Sequence, residues 1–390
     1  MTSNNKKKAH VVLLTLKPVF NIVGGVEKVF CAMSSALSDL GYNVTPLVYD
    51  KNKDGEPIYP VTVNLVNVYS EPEFSFSEKL FKPLIKFSLN KNKRWLKKTD
   101  FIGEYQARCL KESLQRLPHI DIFICFQIEA SYVLKKFLGI QAPVITMLHG
   151  QPSNFIEKIK LCDKYLSQTS CMQVLLPSYI KQIQSVIKNT HVVCIPNAVN
   201  ESNLQVDYSN HLIITTSRLC TGKRPDLLIK AFALIKDQFP SWRCEWWGPF
   251  QDEKIFEDMV RHYSLENRFY LKGATDHVNE KLSQASIYAF PSGFEGFPLG
   301  LTEAMSLGLP VVGCNDCEAV RALVCDGRNG LLASPTPESI AKVLAKLMAD
   351  IELREHLGQQ ARKDMKNFTP EVVWGQWQDL IDKVIRGNVV

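Results

Sequence analysis

The chain has 390 residues and 44.2 kDa, with 45% apolar and 22% charged residues. This balance excludes a disordered chain, a collagen and a disulfide miniprotein, and at roughly 150 residues per domain it sets an expectation of two domains. The net charge of +6 is unevenly spread: residues 1–205 hold 25 Lys/Arg against 16 Asp/Glu, and residues 206–390 hold 21 against 24, so the first half is the one expected to meet something anionic.

In chain order, a lysine-rich tip at 6–8 precedes a strand over 10–16, a loop over 21–25 and an amphipathic helix over 26–40 ended by Gly41. Strands follow over 43–49, 120–126 and 144–148, the last two as short apolar runs bounded by turn signals. The second half repeats the grammar. Strands are predicted over 211–217, 243–247, 269–271, 287–290 and 311–313, with helices over 225–236, 253–263, 299–307 and 337–349. Alternating strands and helices imply doubly wound α/β sheets. The polar stretch 200–210 reads as the linker between two Rossmann-like domains. No run approaches the roughly 18 apolar residues of a membrane-spanning helix. The apolar run 11–14 is too short for a secretory leader and has no cleavage site, so a cytosolic location is expected. Eleven scattered cysteines read as free thiols. The single C-x-x-C at Cys314 and Cys317 lacks the second pair a zinc site needs.

The segment from Ser292 to Ala304 follows a predicted strand and enters a predicted helix. Gly293, Gly296 and Gly300 let backbone approach a ligand closely, and the start of a helix is a ready anion site. Glu295 and Glu303 flank it; carboxylates there suit sugar hydroxyls rather than phosphates. Spacing alone leaves a strand–turn–helix with two surface acids equally open.

This segment resembles the E-x7-E motif of retaining, nucleotide-sugar-dependent glycosyltransferases of the GT-B fold, family 4 in particular. The resemblance continues through Arg218 and Lys223, the run from Ala304 to Val312, the turn from Cys325 to Leu332, and Ile195-Pro196-Asn197. It implies two Rossmann-like domains facing each other across a cleft: 1–200 on the acceptor side, 201–370 binding the nucleotide sugar, and a helix over 371–390 packing back on the first. It also implies roles. Arg218 and Lys223 would grip the donor diphosphate, which guanidinium and ammonium groups suit. Amides of Phe297, Leu299 and Gly300 would sit on the diphosphate and transferred sugar. Glu303 would accept from ribose hydroxyls, Glu295 would hold the sugar, and Gly273 would lie at the nucleobase. In the first domain, Gly24 and Gly25 resemble the family's glycine-rich loop, whose amides would approach the donor phosphate, and His149 its cleft histidine near the reacting sugar.

The resemblance implies an enzyme transferring a sugar, UDP-linked first among donors, to a glycan or lipid-linked saccharide in capsule, O-antigen or lipopolysaccharide synthesis. The rival readings are a GT-B epimerase or sugar phosphorylase, and a non-catalytic assembly scaffold. The sequence contains no D-x-D, so no metal or other cofactor is implied. Residues 79–98 carry eight Lys/Arg and no acid, interleaved with Phe, Leu and Trp95. They read as a segment meeting an anionic membrane surface from the cytoplasmic side; nothing resembles a nucleic-acid module. Four departures from the family pattern stand out: Ala198, Trp247-Gly248-Pro249, Arg224 where glycine is common, and the run from Cys314 to Glu318.

Overall fold

The computed structural model describes residues 9–71, 90–251 and 253–388. Its chain divides into two compact units, Met1–Pro196 with Val373–Val390, and Asn197–Val372.

The first unit is built on a seven-stranded parallel sheet of β1 (His10–Thr15), β2 (Asn43–Val48), β3 (Val66–Asn67), β4 (Ile122–Cys125), β5 (Val144–Met147), β6 (Cys171–Val174) and β7 (His191–Cys194), in the order β3-β2-β1-β4-β5-β6-β7. β1, β4, β5 and β6 are buried at every residue, which is why their sequences are mostly apolar, with His10, Thr15, Thr146 and Gln173 the buried polar exceptions. The order reverses between β1 and β4. The loop leaving β1 there is pinned from below, because the buried carboxylate of Asp50 accepts from the amides of Val19 and Phe20, each at 2.8 Å. Gly25–Asp39 is the helix that follows this loop. In the returning C-terminal segment, helix Pro370–Ile385 contributes buried Trp377, and Asp382 accepts from the Tyr42 hydroxyl at 2.9 Å.

Part of the basic segment, 79–89, lies outside the described residues. Residues 91–98 form the first two turns of helix Lys91–Gln115, a helix missed in the sequence reading. The face it buries is Gly103, Gln106, Ala107, Cys109 and Leu110; its basic first turns read in the sequence as part of a membrane-meeting segment instead. Among the described residues no helix is long and apolar enough to cross a membrane.

The second unit holds a six-stranded parallel sheet of β8 (Leu212–Thr216), β9 (Arg243–Trp247), β10 (Phe269–Gly273), β11 (Ile287–Phe290), β12 (Val311–Cys314) and β13 (Leu331–Ala333), ordered β10-β9-β8-β11-β12-β13. Helices Pro225–Ile235 and Pro337–Ala349 cover it through Leu228, Phe232, Ile340 and Leu344. The stretch 200–210, read from its composition as the linker, lies at the start of the second unit. The Tyr208 hydroxyl donates to the Gly308 carbonyl at 2.7 Å, buried Arg354 donates to the Tyr208 carbonyl at 2.8 Å, and Arg362 donates to that of Ser202 at 2.8 Å. These bonds tie Ser202 and Tyr208 to the rest of the second unit, while Glu201, Asn203, Gln205, Asp207 and Ser209 stay exposed.

Candidate active site

In the second unit the carboxyl ends of β8 and β11 lie side by side where the strand order reverses, the position at which open α/β sheets take ligands. Beyond β8, Ser217 and Arg218 lead to a short 3-10 turn, Thr221–Lys223. Beyond β11, a loop carrying Glu295 leads into helix Leu299–Leu307. The Lys223 ammonium donates to Glu295 Oε1 at 2.5 Å, with the two side chains only 20% and 12% exposed. A cation and a carboxylate named separately in the sequence are therefore one shielded pair. Arg218, at the start of the same segment, is exposed.

Glu303 is half-buried in the second turn of the helix. Burial foremost, then the negative charges of Glu303 and Glu295, push the Tyr288 phenol above its ordinary range against the opposing hydrogen bonds from Thr216. Tyr288 therefore stays protonated, its hydroxyl 3.1 Å from Thr216 Oγ1. Gly300 closes on the same spot. A Cβ there would stand 2.6 Å from the Thr216 carbonyl oxygen and 2.7 Å from the Tyr288 hydroxyl, so only glycine lets the helix begin this near β8. Its N-cap is Pro298 and no side chain caps it, which leaves the first-turn amides of Leu299 and Gly300 and the positive dipole end for an anion. Phe297 is buried against Phe368, ring centroids 5.7 Å apart. Gly273 ends β10 with φ 76, its carbonyl accepting from the Gly248 amide at 2.7 Å.

Two features of this mouth went unread in the sequence. The hydroxyls of Ser217 and Ser292 are enclosed without a hydrogen-bond partner. Arg224 has left-handed backbone, φ 55 and ψ 49, which costs a non-glycine residue about 1–2 kcal/mol. That conformation explains why glycine is common there in the resembled family. Its guanidinium Nη1 donates to Asp316 at 2.7 Å.

The first-unit candidates lie at the carboxyl edge of their own sheet. The Gly24 amide donates to the Tyr59 hydroxyl at 3.1 Å, and the Glu27 carboxylate folds over Gly24, 2.1 Å from where a Cβ would be. The chain's own acid thus occupies the start of this helix, where the sequence suggested a phosphate. His149 follows β5. Its ring stacks on Phe126 with centroids 5.1 Å apart, and Nε2 is enclosed without a partner. Phe126 in turn meets Phe30 of helix Gly25–Asp39 at 4.9 Å, so one aromatic row joins His149 to the glycine loop's helix.

Burial, then the charge of Lys17, lowers the His149 imidazole to about 3. An unfolded histidine titrates near 6.5, so as pH falls from about 6.5 toward 3 the unfolded chain takes the proton first. The stability from keeping His149 neutral is complete above this window and lost through it. The His149→Phe variant is expected to lose less stability between pH 7 and pH 4 than the parent, by on the order of 2 kcal/mol. Urea titrations at both pH values check this; parallel losses would show that His149 carries no such linkage.

Residues 196–364, which contain the whole second-unit mouth from Arg218 to Glu303, match the family described as glycosyl transferases group 1. The chain is a glycosyltransferase, and its second unit carries the group 1 match. It is 24% identical over 367 residues to a Haemophilus influenzae protein named an uncharacterized glycosyltransferase, covering 92% of this chain and 96% of that one. It is 23% identical to the amylovoran biosynthesis glycosyltransferase AmsD of Erwinia amylovora, again over 92% and 96% of the two chains. Among solved structures it resembles sucrose-phosphate synthase of Thermosynechococcus elongatus, with TM-score 0.76, 17% identity, and 97% and 100% of the chains covered. It also resembles S. aureus TarM solved with UDP, with TM-score 0.73, 16% identity, and 96% and 99% covered. The glycosyltransferase has two Rossmann-like, parallel-sheet halves, as GT-B enzymes do. Its Gly24, Gly25 and His149 fall outside the family-matched segment.

Proposed function

We propose that this glycosyltransferase moves a sugar, with retention, from a UDP-sugar to a hydroxyl of a glycan or lipid-linked saccharide in cell-surface polysaccharide synthesis. The Lys223–Glu295 pair beside the uncapped start of helix Leu299–Leu307 carries this reading. A diphosphate entering there meets Arg218, Lys223 and the amides of Leu299 and Gly300, with Phe297 backing the loop. Negative charge grows on the leaving diphosphate, and preorganised donors lower the barrier most when they face such developing charge. Lys223 turns from Glu295 to phosphate, and the released Glu295 carboxylate accepts from sugar hydroxyls. Glu303 accepts from the ribose, and backbone at Gly273 meets the base. His149, held neutral, offers a ring nitrogen to a sugar hydroxyl, and the loop of Gly24 and Gly25 serves the same edge of the first unit. The departing phosphate oxygen takes the acceptor proton on the face from which it leaves, so no enzyme nucleophile is needed. The grip is made by side chains and helix amides without a resident metal, in keeping with a sequence lacking D-x-D. Support for the donor class comes from fold-similar TarM, solved with UDP, and for the glycan product from AmsD, named for amylovoran biosynthesis.

Thermal shifts with UDP-, GDP- and ADP-sugars, each against its free nucleotide, test the donor. UDP-sugars are expected to raise Tm most. At 100 times Kd the stabilisation is about 2.7 kcal/mol, or several degrees for a domain of this size. Equal shifts with all nucleotides would reduce the site to unspecific charge binding.

The same reading places the enzyme at an anionic cytoplasmic membrane face. Lys91, Lys93, Arg94, Lys97 and Lys98 are exposed in the first two turns of helix Lys91–Gln115, whose first turn has no acid. Cations there oppose the helix dipole, a local cost that an anionic surface offsets. At about 1 kcal/mol per charge, Lys93→Gln with Lys97→Gln should weaken binding to phosphatidylserine vesicles roughly 30-fold. Unchanged co-sedimentation would remove the membrane from the reading.

A further inference from the structure

Arg224 spans three loops at the carboxyl edge of the second sheet. Its backbone sits between the Lys223 turn and helix Pro225–Ile235. Its guanidinium lies flat against Gly293 in the Glu295 loop: a Cβ at that glycine would stand 2.1 Å from Nη2, 2.2 Å from Cζ and 2.5 Å from Nη1. It also donates to Asp316 Oδ2 at 2.7 Å. Lys223 and Arg224, adjacent in sequence, thus hold one loop by different handles. Lys223 takes the Glu295 carboxylate, and Arg224 takes the backbone at Gly293 and the neighbouring turn.

We infer that Arg224 is a positioning residue that keeps the Glu295 loop in place while Lys223 exchanges Glu295 for the donor diphosphate. The inference rests on the proposed function for the exchange, whereas the clamp stands on the geometry alone. A lysine held only by Glu295 would carry the loop with it when it turned to phosphate. A planar guanidinium laid over a glycine and anchored to Asp316 keeps the loop fixed without using the Glu295 side chain, and a lysine cannot replace this two-sided grip. The left-handed backbone at Arg224, unfavourable for arginine, is kept because glycine there would have no side chain to clamp with.

The test uses the full chain with Arg224→Gly, which suits the left-handed backbone, and Gly293→Ala, whose Cβ expels the guanidinium. Without ligand, amide hydrogen exchange over 293–297 is expected to rise about 10-fold in each variant, since local opening follows the loss of local contacts. The double variant should be no worse than Arg224→Gly alone, because the two changes break one contact. Free UDP, lacking the sugar that Glu295 would hold, should bind within about two-fold of the parent. The extra affinity of the best-shifting UDP-sugar over UDP should fall by about 10-fold. Unchanged exchange over 293–297, or additive effects in the double variant, would overturn the clamp. An equal loss of UDP and UDP-sugar affinity would make Arg224 a phosphate ligand instead. If the parent binds no UDP while the exchange result holds, the donor assignment fails and the clamp remains.

Discussion

Lys223→Ala should lower kcat/KM for sugar transfer by about 10³-fold, the largest effect of any single side chain here. Two losses combine. Removing one preorganised donor from a developing anion costs roughly 10²–10³ in rate, and the change also leaves the 12%-exposed Glu295 carboxylate without its 2.5 Å ammonium partner. Breaking a shielded pair from one side is more damaging than removing both members, because the remaining charge stays desolvated. Lys223→Ala combined with Glu295→Gln should therefore fold better than Lys223→Ala alone while remaining as inactive. Steady-state kinetics beside thermal melts separate these effects. Parent-like kcat/KM in Lys223→Ala would sink the assignment of the leaving group to this turn.

Gly300→Ala is expected to damage both folding and donor binding. The added methyl would stand 2.6 Å from the Thr216 carbonyl, 2.7 Å from the Tyr288 hydroxyl and 2.9 Å from Thr216 Oγ1. Thr216 is the last residue of a central strand and Tyr288 is fully buried, so neither can move aside cheaply. Overpacking of this kind costs about 1–3 kcal/mol, or roughly 3–10 °C in Tm. The relief available is to lift the start of helix Leu299–Leu307 away from β8, which takes the anion-facing amides with it. UDP affinity should fall about 10- to 100-fold. Gly375→Ala, in helix Pro370–Ile385, is the control, since a Cβ there meets nothing within 4 Å; it should leave UDP affinity unchanged and not lower Tm. Equal behaviour of the two variants would mean that the helix start does not touch the donor.

Where a signal is local, the chain alone was enough. The strands Arg243–Trp247 and Ile287–Phe290 and the helices Leu299–Leu307 and Pro337–Ala349 have the bounds that apolar runs, a preceding proline and a following glycine indicated. The eight-residue step from Glu295 to Glu303 lies within one strand–turn–helix unit and was likewise visible, as were Arg218 and Lys223 as a pair of cations. Helix Lys91–Gln115 was missed because its early charges, which oppose its own dipole, read as part of a basic surface segment rather than as the start of a helix.

Tertiary structure decided which of these groups meet. Lys223 and Glu295 are 72 residues apart, and Arg224 and Asp316 are 92 apart. Nothing in the spacing of either pair indicates a contact, because it arises only when parallel crossovers bring the ends of β8, β11 and β12 to one edge. The same holds for Tyr288 under Gly300, and for Ser202 and Tyr208 in the polar stretch 200–210, whose partners are Gly308, Arg354 and Arg362. Residue type and periodicity report which surfaces a segment buries. Which surface another segment offers in return depends on the topology of the sheet, and that was legible only in three dimensions.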